Sequence, residues 1–415
     1  RQQPVSSVHV PRRLVEHAWG GTETTVVETA RAFRAAGHPA KVLTSLALSD
    51  QSKSEVRGVP VQRYPYSYPF LGLSDKDKTN LDLKGGNLMS FSLLRALLQE
   101  PGVDIFHAHS AKRLGAMVRT AAKARGVPYV VTVHGNYFDV PEAEKDNLIE
   151  PVRGKFEWGR AFGMLLGSRR VLEDADAIVC VGASEHDRIQ SAMPAKRVEL
   201  IPNGVDADYF GSGCGPSFRR ELSISPSAKV LLCVSRIDPQ KNQLALVRML
   251  PELKARHPET HLVLIGPVTC EEYRKRLDHA IRQRNLSSAV HIIPGFPPGD
   301  SRLVDAYHAA DLFCLPSRHE PFGIVILEAW AAGLPVVATR VGGIPGFVKP
   351  GSDAMLVQPG DEPDLLQAVD RLLSSPLLSR RLARNGRGRA SREFHWTKIA
   401  DRLVELYREL QRREV

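Results

Sequence analysis

The segment Glu320–Glu328 carries two carboxylates eight residues apart, around a helix start expected at Phe322, Gly323 and Ile324. Amides at a helix start have no partner within the helix and attract anions. A phosphate could rest on those amides while the carboxylates accept hydrogen bonds from sugar hydroxyls. Arg236 and Lys241 stand five residues apart in a loop after an apolar run. One offers a planar fork and the other a compact charge, a pair suited to a diphosphate. Gly20 and Gly21 precede a helical pattern, where glycine lets a ligand approach the backbone. His134 closes the apolar run Tyr129–Val133 and could bond a substrate or move a proton. Each feature has a plainer reading: a capping acid, an exposed basic turn, a tight turn, a structural histidine. His107 and His109 share one face of a strand, but no third metal ligand appears at sensible spacing. Metal binding is therefore not expected.

These residues sit where strands end. Apolar runs at 40–45, 103–109, 129–134, 177–182 and 198–201 alternate with helical patterns at 23–36, 88–99 and 112–125. The scheme repeats with strands expected at 230–235, 261–266, 290–293, 312–315, 335–339 and 354–357. Helices are expected at 243–256, 271–283 and 303–309, and another at 325–332. Strand–helix alternation predicts parallel sheets with crossover helices. Continuously apolar strands such as Val230–Val234 predict cover on both faces. The expected fold is α/β, with two doubly wound, Rossmann-like domains facing across a cleft, and ligands at the carboxyl ends of the strands. The stretch 206–228, rich in Gly, Ser and Pro, reads as the junction. The expected division is 1–207, 208–391 and a final segment 392–415. Residues 70–90 read as a long surface excursion.

Composition bounds the rest. With 43% hydrophobic and 25% charged residues in 415, the chain can bury sizeable cores. Its 56 Lys and Arg against 46 Asp and Glu give +10, which favours anionic partners without selecting one. Residues 380–415 hold eleven basic and five acidic residues, a net +6. No recognition motif or aromatic stripe supports nucleic-acid binding, and the basic stretch reads as a solvated helix. No apolar run reaches the ~18 residues of a membrane span. The chain begins at Arg1, with no basic-then-apolar leader in view. Five scattered cysteines without a Cys-x-x-Cys pair argue against structural zinc and fit a reducing cytoplasm.

Taken together and in order, the motifs resemble the retaining GT-B glycosyltransferases of family 4, over nearly the whole chain. The resemblance rests on Glu320 to Glu328, Arg236 with Lys241, Gly20 to Glu23, and Ile201 to Asp206. It extends to Gly333–Val336, Gly342–Pro345 and Phe394–Trp396. It implies that Arg236 and Lys241 hold the diphosphate of a nucleotide-sugar donor, and that Glu328 bonds the ribose. Glu320 and the backbone at Phe322, Gly323 and Ile324 would hold the sugar and phosphates. Gly20 and Gly21 would approach the distal phosphate or the acceptor, His134 the reaction centre, and Gly295 with Phe296 the base. The final helix would cross back to the first domain. Many relatives carry an acid where this chain has Gly135, so no carboxylate role is expected there.

The implied reaction moves a hexosyl group to a hydroxyl acceptor with retention of configuration. The cations and amides would stabilise the leaving diphosphate, so a metal is not required, and no cofactor beyond the donor substrate is expected. A UDP-sugar is weakly preferred. The acceptor is left open among small molecules, lipid-linked glycans and polysaccharides, as is peripheral contact at the inner membrane face. The rival readings are an epimerase or phosphorylase on the same fold, and a nucleotide-sugar binding protein without catalysis.

Overall fold

The computed structural model describes residues 3–135 and 150–412. The chain ends included in the expected division, at 1–2 and 413–415, lie outside the described residues. Two compact units form. Residues 1–202 and 396–415 make the first, and 203–395 the second.

The first unit holds an eight-stranded sheet in the order β3-β4-β2-β1-β5-β6-β7-β8. Its strands are β1 (Ser7–Val10), β2 (Ala40–Ser45), β3 (Lys53–Val56), β4 (Val59–Tyr64), β5 (Ile105–Ala108), β6 (Tyr129–Val133), β7 (Ala177–Cys180) and β8 (Val198–Leu200). Three of these depart from the sequence expectation. Strand β1 runs through the centre of the sheet, paired with β2 and β5. Its sequence Ser-Val-His-Val hides it, because the inward polar residues Ser7 and His9 break the apolar pattern. Strands β3 and β4 form an antiparallel hairpin at the sheet edge, so the sheet is not wholly parallel. Arg57 and Gly58 both have positive φ, the geometry of a tight two-residue hairpin turn.

The second unit holds six strands: β9 (Lys229–Val234), β10 (Thr260–Ile265), β11 (Val290–Ile293), β12 (Leu312–Leu315), β13 (Val336–Thr339) and β14 (Met355–Val357). Their order is β11-β10-β9-β12-β13-β14, all parallel. Crossovers run one way from β9 and the other way from β12. The gap between those two strands is the switch point, where such sheets bind ligands. Cys180, Cys233 and Cys314 are buried free thiols in the strands, while Cys214 is exposed.

Residues 70–90 are not a bare loop. Ser74 and Asp77 form a capping box on the helix Asp75–Lys84. Asp82 accepts from the hydroxyls of Tyr66 and Tyr68 at 2.5 and 2.7 Å, and Leu81, Leu88 and Met89 are buried. Residues 206–228 are likewise structured, and they belong to the second unit. The Gly-rich run carries the short helices Ala207–Phe210 and Gly215–Glu221. Phe218 is buried, and the Cys214 amide donates to Asp305 at 2.6 Å.

The final helix Trp396–Arg412 is assigned to the first unit and packs on the helix Gly21–Ala35. Its buried residues, including Trp396, Ile399, Ala400, Leu403, Val404 and Tyr407, recur every three or four positions, a single apolar stripe. The basic stretch before it is the helix Pro376–Arg392. Arg389 in that helix is structural: it donates to Asp353 at 2.7 Å and to the Phe347 carbonyl at 2.6 Å.

Candidate active site

Two loops meet at the switch point of the second sheet. The loop after β9 carries Arg236 and Lys241, and the loop after β12 carries Glu320. The Lys241 ammonium lies 2.6 Å from the Glu320 carboxylate, and both side chains are largely buried. Ser317 adds a second donor to the same oxygen at 3.2 Å. Residues 79 positions apart in sequence thus form one charged centre.

Asp238, which the sequence reading passed over, builds the first loop. Its carboxylate accepts from the amides of Gln240 and Lys241 at 2.9 and 3.2 Å and from Thr269 at 3.1 Å. The turn is therefore rigid on its inner side. Arg236 stays free by comparison. Half of its side chain is exposed, and among the described residues its guanidinium reaches Gln240 and Asp238, each at 3.4 Å. Gln243, fully buried, ties the loop down by donating to Ser235 and to the Arg236 carbonyl.

Gly323 takes φ 96° and starts the helix Ile324–Ala331. The amides of Phe322, Gly323 and Ile324 donate to no group among the described residues. The Phe322 ring is buried and stacks on Phe347 at 4.5 Å, so only its backbone faces a ligand. Gly342 and Gly343 clamp this segment from the far side. The Gly343 amide donates to the Glu320 carbonyl at 3.0 Å. A Cβ on Gly342 or Gly343 would stand 2.0 or 2.1 Å from the carbonyl oxygen of Glu320 or Pro321. No rotamer relieves a backbone clash of that kind. Gly343→Ala is expected to lower stability by about 1–3 kcal/mol and to weaken nucleotide binding by moving Glu320. Urea unfolding and calorimetric titration check both. Unchanged stability would mean that the clamp yields.

Glu328 lies a turn inside that helix. Burial pushes its carboxyl up to about 7, partly opposed by the hydrogen bond that Tyr307 donates to it at 2.7 Å. Tyr307 had no signal in the sequence. It is fully buried between Phe313, which stacks on it at 5.7 Å, and the edge of Phe210. Gly295 and Phe296 follow β11. The Phe296 ring is half-buried, with Arg302 over it at 4.8 Å and Phe218 at its edge.

In the first unit His134 directly follows β6, and Gly21 opens the first long helix. Gly20 caps the helix Gly21–Ala35. The Gly20 backbone lies beside the buried carboxyl of Glu23. Glu23 is raised by burial and pulled back by Arg13, 3.6 Å away. His134 does not stand alone. Its Nε2 lies 3.0 Å from His109 Nδ1, and His109 Nε2 lies 3.1 Å from His9 Nδ1. His107 stacks on His109 at 4.4 Å and bonds Tyr407 and Thr132. The fold thus supplies a third imidazole, His9, beside His107 and His109, which sequence spacing did not offer. One ring nitrogen from each lies within 4.8 Å of the others. These nitrogens are already engaged by one another, by Tyr407 and by Thr132. Burial holds His9 and His134 down to about 4 and pushes His107 and His109 well below the ordinary imidazole value, which favours neutral rings near pH 7.

Residues 19–209 match Glycosyltransferase Family 4, and residues 216–389 match Glycosyl transferases group 1. A D-inositol 3-phosphate glycosyltransferase of Actinosynnema mirum is 32% identical over 95% of this chain and 94% of its own. The chain belongs to glycosyltransferase family 4. It is an enzyme that transfers a glycosyl group. A similarly named protein of Stackebrandtia nassauensis is 31% identical over 95% of the transferase and 88% of its own chain. In fold, the transferase is similar to Anabaena HepE, with a TM-score of 0.72 at 19% identity over 98% of this chain and all of that one. Sucrose-phosphate synthase from Thermosynechococcus elongatus gives the same TM-score at 22% identity, over 98% and 99%. The two sheets make the fold GT-B.

Proposed function

We propose that the enzyme moves a hexosyl group from a UDP-sugar to the hydroxyl of a phosphorylated polyol, with retention and without a metal. The observation that carries the reading is the Lys241–Glu320 pair at the switch point, beside the unpaired amides of 322–324. Lys241 has two further protons to give, so it can keep Glu320 and take a phosphate oxygen. Arg236 is unpinned on the same loop and can close on the second phosphate. Both offset charge that grows on the leaving diphosphate. In this reading Glu328 accepts from the ribose, and Glu320 from the sugar.

The donor assignment draws support from the HepE structures, which hold UDP and UDP-glucose. The acceptor assignment draws support from the relatives named for D-inositol 3-phosphate. A thermal-shift panel of UDP, GDP, ADP and TDP with their sugars, with and without EDTA, tests the donor. A ligand at 100 times its Kd adds about 2.7 kcal/mol. UDP and its sugars are expected to raise Tm by several degrees, unchanged by EDTA. A shift by another base corrects the donor, and sensitivity to EDTA ends the metal-free reading. Transfer to inositol phosphate, with the anomer read by NMR, tests the rest.

An anionic membrane surface is proposed as a peripheral partner. Phe156, Met164 and Leu165 are 68%, 68% and 80% exposed on a net-basic segment. Such a mix of apolar and basic side chains suits an acidic bilayer. Co-sedimentation with phosphatidylglycerol vesicles is expected and should fall in 0.5 M salt, a concentration chosen to shrink screening lengths to roughly 4 Å. No pelleting with such vesicles ends this part.

A further inference from the structure

The four-residue chain Ser7–His9–His109–His134 crosses three neighbouring strand ends of the first sheet. Its links are 3.3 Å from Ser7 Oγ to His9 Nε2, 3.1 Å from His9 Nδ1 to His109 Nε2, and 3.0 Å from His109 Nδ1 to His134 Nε2. A neutral imidazole has one N–H and one lone pair, so it donates from one nitrogen and accepts at the other. Three such rings in series must all point the same way. Only two arrangements satisfy every link. In one, each N–H sits on Nδ1 and points toward His134. In the other, each sits on Nε2 and points toward Ser7.

The inner end decides between them. Ser7 is 1% exposed, and its hydroxyl has no hydrogen-bonding neighbour among the described residues except His9. If His9 donated to it, the serine proton would be buried without an acceptor, a costly state. If Ser7 donates, every group is satisfied. His9 Nδ1–H then donates to His109, and His109 Nδ1–H donates to His134. His134 is left with its own proton on Nδ1, which faces no partner among the described residues.

The geometry points to Ser7, His9 and His109 as positioning residues that hold His134 in its Nδ1–H tautomer, with a hydrogen-bond donor rather than a lone pair free for a ligand. His107, stacked on His109 and bonded on both nitrogens, keeps the ladder of rings in place. Where His134 meets substrate at the reaction centre, as the family resemblance implies, it gives a hydrogen bond to an oxygen. It does not take the acceptor's proton at Nδ1. That consequence rests on the proposed function, while the tautomer does not.

The test is a long-range 1H–15N correlation spectrum of the full chain carrying 15N-histidine, near neutral pH and without substrate. The signals of His134 are assigned by their loss in His134→Gln. One proton on Nδ1 and none on Nε2 is expected. A proton on Nε2 overturns the inference. Ser7→Ala removes the donor that biases the ladder, so the Nε2–H form of His134 should rise to a measurable share. Ser7→Thr, which keeps the hydroxyl, should restore the Nδ1–H form. A His134 pattern that stays the same in Ser7→Ala shows that Ser7 does not set the tautomer. Because no substrate is present, failure of the transfer assay and failure of this test are separate results.

Discussion

Lys241→Ala is expected to lower the rate of glycosyl transfer by about 10²–10³, the usual loss when one preorganised donor to a developing charge is removed. The effect should fall on kcat more than on nucleotide affinity, because the charge on the leaving diphosphate grows in the transition state. The substitution has a second effect that must be separated. It strips Glu320 of its cation and leaves a largely buried carboxylate with Ser317 as its remaining side-chain partner among the described residues. Losing one member of such a pair destabilises by about 3–5 kcal/mol when burial is complete, and less here. The double variant Lys241→Ala, Glu320→Gln removes the orphaned charge. It should regain stability in urea unfolding without regaining turnover. If Lys241→Ala transfers at the wild-type rate, the diphosphate assignment fails.

Glu328→Gln is expected to do two opposite things. The folded carboxyl titrates at about 7, against about 4.3 in an unfolded chain. Between these values the folded state holds a proton that the unfolded state has released. Stability therefore falls as pH rises from about 4 to about 7, and the full cost is present above that. Glutamine is neutral throughout. The variant should match the wild type below about pH 4 and exceed it at about pH 8, by roughly 3–4 kcal/mol. Nucleotide binding should move the other way. Only the ionised carboxyl accepts from both ribose hydroxyls, and hydrogen bonds to a charged group contribute about 1.5–3 kcal/mol. At about pH 8 the variant should bind UDP some 10–100-fold more weakly, and below about pH 7 that gap should close. Calorimetric titration of both proteins across the range checks it, with the variant correcting for titration of the nucleotide itself. A gap independent of pH would place Glu328 away from the ribose.

Both predictions rest on charged groups whose identities were legible in the sequence and whose energetics were not. The spacing of Glu320 and Glu328 around a glycine announced a helix start, and β9 to β14 were readable because strands covered on both faces are continuously apolar. Local order sets such features, so local sequence carries them. The strand β1 was not readable, because Ser7 and His9 replace apolar residues on its inward face. Those polar residues are tolerated because Ser7 bonds His9 and His9 bonds His109, a hundred positions later in the chain. Asp238 and Tyr307 were silent for the same reason. An aspartate in a turn and a tyrosine in a helix say nothing until the fold supplies Thr269 for one and Glu328 for the other. The sequence alone determined the α/β architecture, the family and the cations and acids that gather at the switch point of the second sheet. Only the tertiary structure decided which of them pair, which carboxyl is lifted toward neutral pH, and how four separated residues join into one hydrogen-bonded chain. Pairing and desolvation depend on neighbours distant in sequence, and no local pattern encodes them.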